Sequence, residues 1–224
     1  AAGGVRFEHA CSNIPLCSPA RSVLLSGQYS RTCTGTLYNI GQPRPERSVF
    51  PAPVLSEMLK RHGYRTGLVG KWHVEPHPAL LGFDRYTYPS AWHLNSGQTY
   101  YDDRGEIFTV ERFGPEFELE RSAAFLDGAD VRPWFLLHSI SLPHMPFFDV
   151  PERYKTMYDP QSVPLRENVW QEGVCARDEH WFKVYLYDHL YYRHHRPAEL
   201  PEGFDLRHLA AMYDGMVTCV DDQV

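Results

Sequence analysis

Cys17-Ser18-Pro19-Ala20-Arg21 is where residue type and spacing carry the most chemistry. Ser18 suits a helix N-cap and Pro19 a first helical position, so a helix is expected to open just after Cys17. The unsatisfied N–H groups of its first turn would face the thiol, and Arg21 follows about one turn on. A thiol in that field shifts towards thiolate, giving an anion site with a polarised nucleophile. Two further clusters add cationic and proton-carrying groups: Lys71-Trp72-His73 and Pro143-His144-Met145-Pro146. Singly, these residues read as a structural cysteine, a surface lysine and a loop histidine. Their joint occurrence at the ends of expected strands favours one site.

The elements that would position them form a consistent pattern. The first helix carries Ala20, Val23, Leu24 and Leu25 as its apolar face and ends at Gly27. A second runs from about Val54 to His62, stopped by Gly63, and Arg65 to Gly70 then reads as a short buried strand that delivers Lys71 and His73. The unit recurs: Phe117 to Leu126 is helical in pattern, and Trp134 to Ile140 is an apolar strand that delivers His144. Apolar strands alternating with helices predict an α/β fold, a mostly parallel sheet sandwiched by helices. Ligands bind such sheets beyond the carboxyl ends of the strands, where both clusters fall. Tyr100 to Glu111 reads as a hairpin turning at Asp102-Asp103-Arg104-Gly105. Asp149 to Phe204 reads as long loops with short helices. Leu206, Leu209, Ala210, Tyr213, Val217, Val220 and Val224 give the last helix one apolar stripe.

The whole-chain properties exclude several classes. With 224 residues, 43% hydrophobic, the chain has material for one sizeable core. No apolar run approaches the roughly 18 residues of a membrane span. The net charge is −6 and no Lys/Arg block stands out, which argues against a general nucleic-acid binder. Twelve histidines make that charge strongly pH-dependent. The five cysteines form no C-x-x-C pair, and their odd number leaves at least one thiol free. A phosphatase-type Cys with Arg six positions on is also absent, since those positions hold Cys17 and Val23. The start at Ala1-Ala2-Gly3-Gly4 and the close inside a helical pattern read as a piece of a longer chain.

At this point the sequence resembles the type I, formylglycine-dependent sulfatases of the alkaline-phosphatase-like superfamily. Cys17 to Gly27 matches their Cys-x-Pro-x-Arg signature and the small-residue helix that follows it. Gly4-Val5-Arg6-Phe7-Glu8-His9-Ala10 resembles the approach to that signature. Gly70-Lys71-Trp72-His73 and Pro143-His144-Met145-Pro146 resemble two later motifs, in family order. Tyr213 to Asp221 resembles the helix before the family's second metal-binding segment, whereas residues 160 to 200 match only loosely.

The resemblance implies a sulfuric ester hydrolase. Cys17, oxidised to formylglycine, would be nucleophile and metal ligand, with Arg21 holding its hydrated diol. One hydroxyl attacks sulfur, and the second lets the intermediate collapse to an aldehyde and release sulfate, an exit closed to a plain serine. Lys71 and His73 would contact sulfate and diol, and His144 the leaving oxygen. The implied cofactor is Ca2+ (or Mg2+), with most ligands outside these 224 residues: the segment is expected to be a partial catalytic domain lacking its first strand and C-terminal part, inactive alone. The implied partners are a sulfated small molecule or carbohydrate and a formylglycine-generating enzyme. A phosphonate monoester or phosphodiester hydrolase of the same superfamily is the second reading, and a non-catalytic remnant of the scaffold the third. Among weaker candidates, Asp102-Asp103 and Asp221-Asp222 read as solvated rather than metal-binding, and Tyr191 to Arg196 as a solvated loop rather than a cleft wall. His77 and His93 joining His73 on a metal is disfavoured by irregular spacing. Cys11 and Cys33 read as packing residues.

Overall fold

A computed structural model describes residues 3–5, 7–35, 37–39, 50–90, 93–128, 130–169, 180–191 and 200–224. Cys175 and residues 192–196 of the aromatic, basic segment lie outside the described residues. The helices are α1 (Cys17–Ser26), α2 (Ser30–Cys33), α3 (Leu55–Arg61), α4 (Gly114–Leu126), α5 (Glu152–Lys155), α6 (His180–Leu190) and α7 (Leu206–Asp221). The strands are β1 (Arg65–Gly70), β2 (Arg85–Pro89), β3 (Gln98–Asp102), β4 (Ile107–Val110) and β5 (Trp134–Ser139), in the sheet order β4-β3-β2-β1-β5.

The fold is α/β as the sequence predicts, and its sheet is mixed. Arg65 N–H donates to Pro133 C=O (2.9 Å) and Lys71 N–H to Ser139 C=O (2.8 Å), a constant offset that marks β1 and β5 as parallel. β2, β3 and β4 form an antiparallel meander, with Thr87 opposite Asp102 and Tyr101 opposite Ile107. The hairpin expected at 100–111 is present. Asp102 closes its turn, accepting the N–H groups of Arg104 and Glu106 at 2.9 Å each. That carboxylate is buried in the turn it closes rather than solvated.

The chain divides into two compact units. The first comprises 1–68, 72–86 and 129–137, with a core that includes Val54, Leu68, Trp72, Val74, Leu81 and Phe83. The second comprises 69–71, 87–128 and 138–224, and its core gathers Phe113, Leu142, Phe147, Tyr154, Leu186, Leu209, Met212 and Met216. Within the first unit, α3 opens at Leu55, where the Glu57 carboxylate accepts the Val54 N–H at 2.9 Å.

Two helices turn a different face inwards from the one their periodicity suggests. α1 buries Ser18, Pro19, Ser22 and Leu25 and leaves Leu24 exposed. Small residues allow close approach, and Ser22 satisfies its hydroxyl on the Ser18 carbonyl (2.8 Å). α7 buries Leu209, Met212, Met216 and Cys219, while Tyr213 and Val217 stay about half exposed. Cys33 is buried as expected, but Cys11 is exposed.

Candidate functional site

The nucleophile candidate lies in the first unit. Cys17 is itself the first residue of α1, and the N-cap position falls to Leu16, which makes no side-chain cap. Ser18 is therefore inside the helix rather than capping it, and its N–H donates to Asn39 Oδ1 at 3.1 Å. No acidic residue occupies the first turn, so nothing there offsets the positive end of the helix. Gly27 closes α1 with φ of 66°, its N–H on the Val23 carbonyl (2.8 Å), as a left-handed cap requires. Half-buried Cys17 has Arg21 beside it. Burial lowers the Arg21 pKa, and the charge of a Cys17 thiolate pushes it back up. Arg21 thus gains an anionic partner at position 17 to offset its desolvation.

His73 belongs to the same unit, at a positive φ of 52°. Trp72 fixes the chain here: its indole N–H donates to the Pro76 carbonyl at 2.9 Å, and its ring meets Phe83 edge-on with centroids 5.6 Å apart. His77 is spent elsewhere, capping the short 3-10 helix Pro78–Leu81 and packing edge-on against Tyr86.

Lys71 and His144 lie in the second unit, and the structure brings them together through His93. Lys71 is 5% exposed. Its Nζ lies 3.3 Å from His93 Nδ1 and 3.5 Å from Nε2. The His93 ring stacks on His144 with centroids 3.9 Å apart and planes 5° from parallel. His144 Nδ1 is 2.5 Å from the Met145 carbonyl. A carbonyl can only accept, so Nδ1 carries the hydrogen and Nε2 remains for chemistry.

A clamp holds this stack. Asp149 accepts the N–H groups of Asn95 (2.6 Å) and Ser96 (3.2 Å) and the Asn95 side-chain amide (2.8 Å). Asn95 also donates to the Pro146 carbonyl at 3.2 Å. The loop carrying His93 is thereby tied to the loop carrying His144. His93 has a φ of 55°, a strain that such over-determined loops can sustain.

Behind Lys71, Gly70 has a φ of 88°, and a Cβ there would run into the Ser139 carbonyl. The same missing Cβ would lie 3.1 Å from Glu118 Oε2. Glu118 is 2% exposed, and burial pushes its pKa up to about 8, against the lowering effect of its hydrogen bond from the Tyr100 hydroxyl (3.0 Å). Oε2 has no hydrogen-bond partner among the described residues.

No group of three or more His, Cys, Asp or Glu among the described residues could hold a metal ion. His73, His77 and His93 form no such cluster. Asp222 instead accepts the Tyr154 hydroxyl at 2.9 Å, and Asp221 is exposed at the end of α7. Of the residues singled out from sequence, Cys17 and Arg21 meet on α1, and Lys71 and His144 meet through His93. His93 has no sequence signal beyond its residue type, because its partners are 22 and 51 positions away.

The family model described as Sulfatase matches residues 1–224. The chain is 31% identical over 176 residues to an ulvan-active sulfatase of Formosa agariphila, covering 74% of this chain and 33% of that protein. It is 23% identical over 184 residues to an N-acetylglucosamine-6-O-sulfatase of Bacteroides thetaiotaomicron, covering 79% and 31%. The chain therefore spans about a third of the length of these relatives. The fold resembles that of a protein solved in complex with D-glucosamine-2-N,6-O-disulfate (TM-score 0.57, 21% identity, 74% of this chain and 32% of that one). It also resembles a structure from a glycosaminoglycan-metabolism locus of Bacteroides thetaiotaomicron (TM-score 0.64, 19% identity, 95% and 45%).

Proposed function

This chain belongs to the sulfatase family, and on that premise we propose that the complete protein hydrolyses a sulfate monoester of a carbohydrate, with Cys17 maturing to formylglycine. The observation that carries the reading is Cys17 at the opening of α1 with Arg21 beside it, inside a family match that spans the chain. The hydrated aldehyde would supply a nucleophilic hydroxyl that attacks sulfur and a second one that loses its proton and becomes the aldehyde oxygen as the C–O bond to sulfate breaks.

The other residues divide the remaining work. Arg21 offers a positive charge next to position 17 in a half-buried setting where Coulomb attraction is strong. Lys71 and His73 neutralise the sulfate oxygens, a charge present in ground and transition states alike. His144, protonated, presents Nε2–H to the oxygen that departs, because Nδ1–H is committed to the Met145 carbonyl. His93 keeps Lys71 and His144 in register through its contact and its stack. A Ca2+ or Mg2+ ion of the kind the resemblance implies does not fit the described residues by themselves. Cys17, as formylglycine, would be its ligand among the described residues. The sulfated sugars named for the relatives support a carbohydrate ester as the substrate class.

The test is turnover by the full-length protein, co-expressed with a formylglycine-generating enzyme, of sulfated saccharides beside aryl phosphonate monoesters. Sulfate release at the higher kcat/KM is expected. Phosphonate preference would replace this reading with that of a phosphonate hydrolase.

A further inference from the structure

One face of α7 lines a cavity. Leu206, Ala210 and Tyr213, with the loop carrying His144 and with α6, border an open volume of about 550 Å3. That size is ordinary for small-ligand sites, roughly 300–1,000 Å3. The residues on its wall with polar side-chain atoms are few: His144, Tyr185, His189, Tyr213 and Asp214. Both imidazoles are set the same way. His189 Nδ1 lies 2.8 Å from the Tyr185 carbonyl and must donate to it, so Nε2 is the remaining polar atom, as in His144. The His189 ring is braced against Tyr185 with centroids 4.0 Å apart. Among the described residues of the wall there is no Lys or Arg, and Asp214 is the one carboxylate.

That chemistry selects a ligand class. Aromatic rings accept the C–H face of a pyranose, and an imidazole nitrogen and a carboxylate accept its hydroxyls. A uronate or a second sulfate would meet Asp214 with no Lys or Arg among the described wall residues to pair it. Resting on the reading of His144 as the group at the leaving oxygen, we propose that this cavity is the subsite for the alcohol half of the ester. It takes a neutral pyranose, with His189 and Asp214 on its hydroxyls and Tyr185 and Tyr213 against its ring. The sulfated oxygen lies at His144. His189 and Asp214 are then specificity determinants.

The test uses the matured full-length protein, with unsulfated methyl glucoside, methyl galactoside, methyl N-acetylglucosaminide and methyl glucuronide as calorimetric probes and inorganic sulfate as a separate one. At least one neutral glycoside should bind together with sulfate, and the glucuronide at least ~10-fold more weakly, the scale of an unpaired charge beside a carboxylate. His189→Ala should weaken the neutral glycoside about 5-fold, His189→Gln less, and neither should change sulfate binding. Asp214→Asn should narrow the gap to the glucuronide. Melting temperatures matching the parent protein show that these variants fold. Absence of binding by every neutral glycoside, as when another part of the chain fills the cavity, would overturn the proposal. So would equal losses for glycoside and sulfate in the His189 variants. Glycoside binding without turnover of any sulfate ester would leave the subsite standing and remove the sulfatase reading. Turnover without glycoside binding would do the reverse.

Discussion

Replacing Glu118 by Gln is expected to stabilise the protein at alkaline pH and to flatten part of its pH–stability curve. Burial raises the Glu118 pKa from 4.5 to about 8. The folded chain therefore keeps a proton there that the unfolded chain releases above about pH 4.5. Stability from this group is fully present below that value and is lost as pH rises through about 8. At ~1.4 kcal/mol per pH unit the full shift corresponds to a ceiling of ~5 kcal/mol, and relaxation with water entry brings it to about 2–5 kcal/mol. The Gln side chain has the same shape, can accept from the Tyr100 hydroxyl and does not titrate. Thermal melts from pH 5 to 9 should show the wild type losing roughly 5–15 °C more than Glu118→Gln across that range. A difference between the two proteins that stays constant with pH would refute a buried, protonated Glu118 behind Gly70.

His144→Ala should reduce turnover of sugar sulfates by about 10²–10⁴-fold and barely affect an activated nitrophenyl sulfate, while Lys71→Ala should slow both alike, as a leaving-group series of kcat/KM values would show. Gly70→Ala should destabilise the protein by more than the ~1 kcal/mol typical of incompatible glycine sites, because the new methyl meets the Ser139 carbonyl and φ is 88°; denaturant midpoints measure this. Asp149→Ala leaves the Asn95 and Ser96 N–H groups without their acceptor, so kcat should fall several-fold as the His93–His144 stack loosens. Broadened His93 and His144 ring signals in NMR spectra would accompany that loss.

The parts of this fold that were legible in the sequence are those written in local pattern. β1 and β5 are apolar runs between turn residues, α1 opens two residues before the Pro19 signal and closes at Gly27, and the hairpin turns where Asp102 and Gly105 mark it. What escaped depends on choices between comparable alternatives or on distant partners. α7 has two apolar faces, and Met212, Met216 and Cys219 fill the core as well as Tyr213 and Val217 would. α1 buries serines because close approach outweighs their polarity once Ser22 bonds the Ser18 carbonyl. Cys17 and Arg21 pair through helical spacing, which the sequence shows directly. His93 reaches Lys71 and His144 only because Asp149 ties two loops together, and Asn95 and Asp149 are 54 positions apart. The meander β2-β3-β4 likewise makes the sheet mixed where strand composition suggested parallel pairing.

The most direct measurement is the mass of the tryptic peptide from Phe7 to Arg21 after co-expression of the full-length protein with a formylglycine-generating enzyme. The peptide contains Cys11, exposed and away from any Cys-x-Pro-x-Arg context, as an internal reference for Cys17. One thiol should remain open to alkylation, at Cys11, and position 17 should carry an aldehyde that reacts with a hydrazide probe. Two alkylatable thiols, with position 17 unmodified in protein that nevertheless releases sulfate, would contradict a formylglycine derived from Cys17 as the nucleophile.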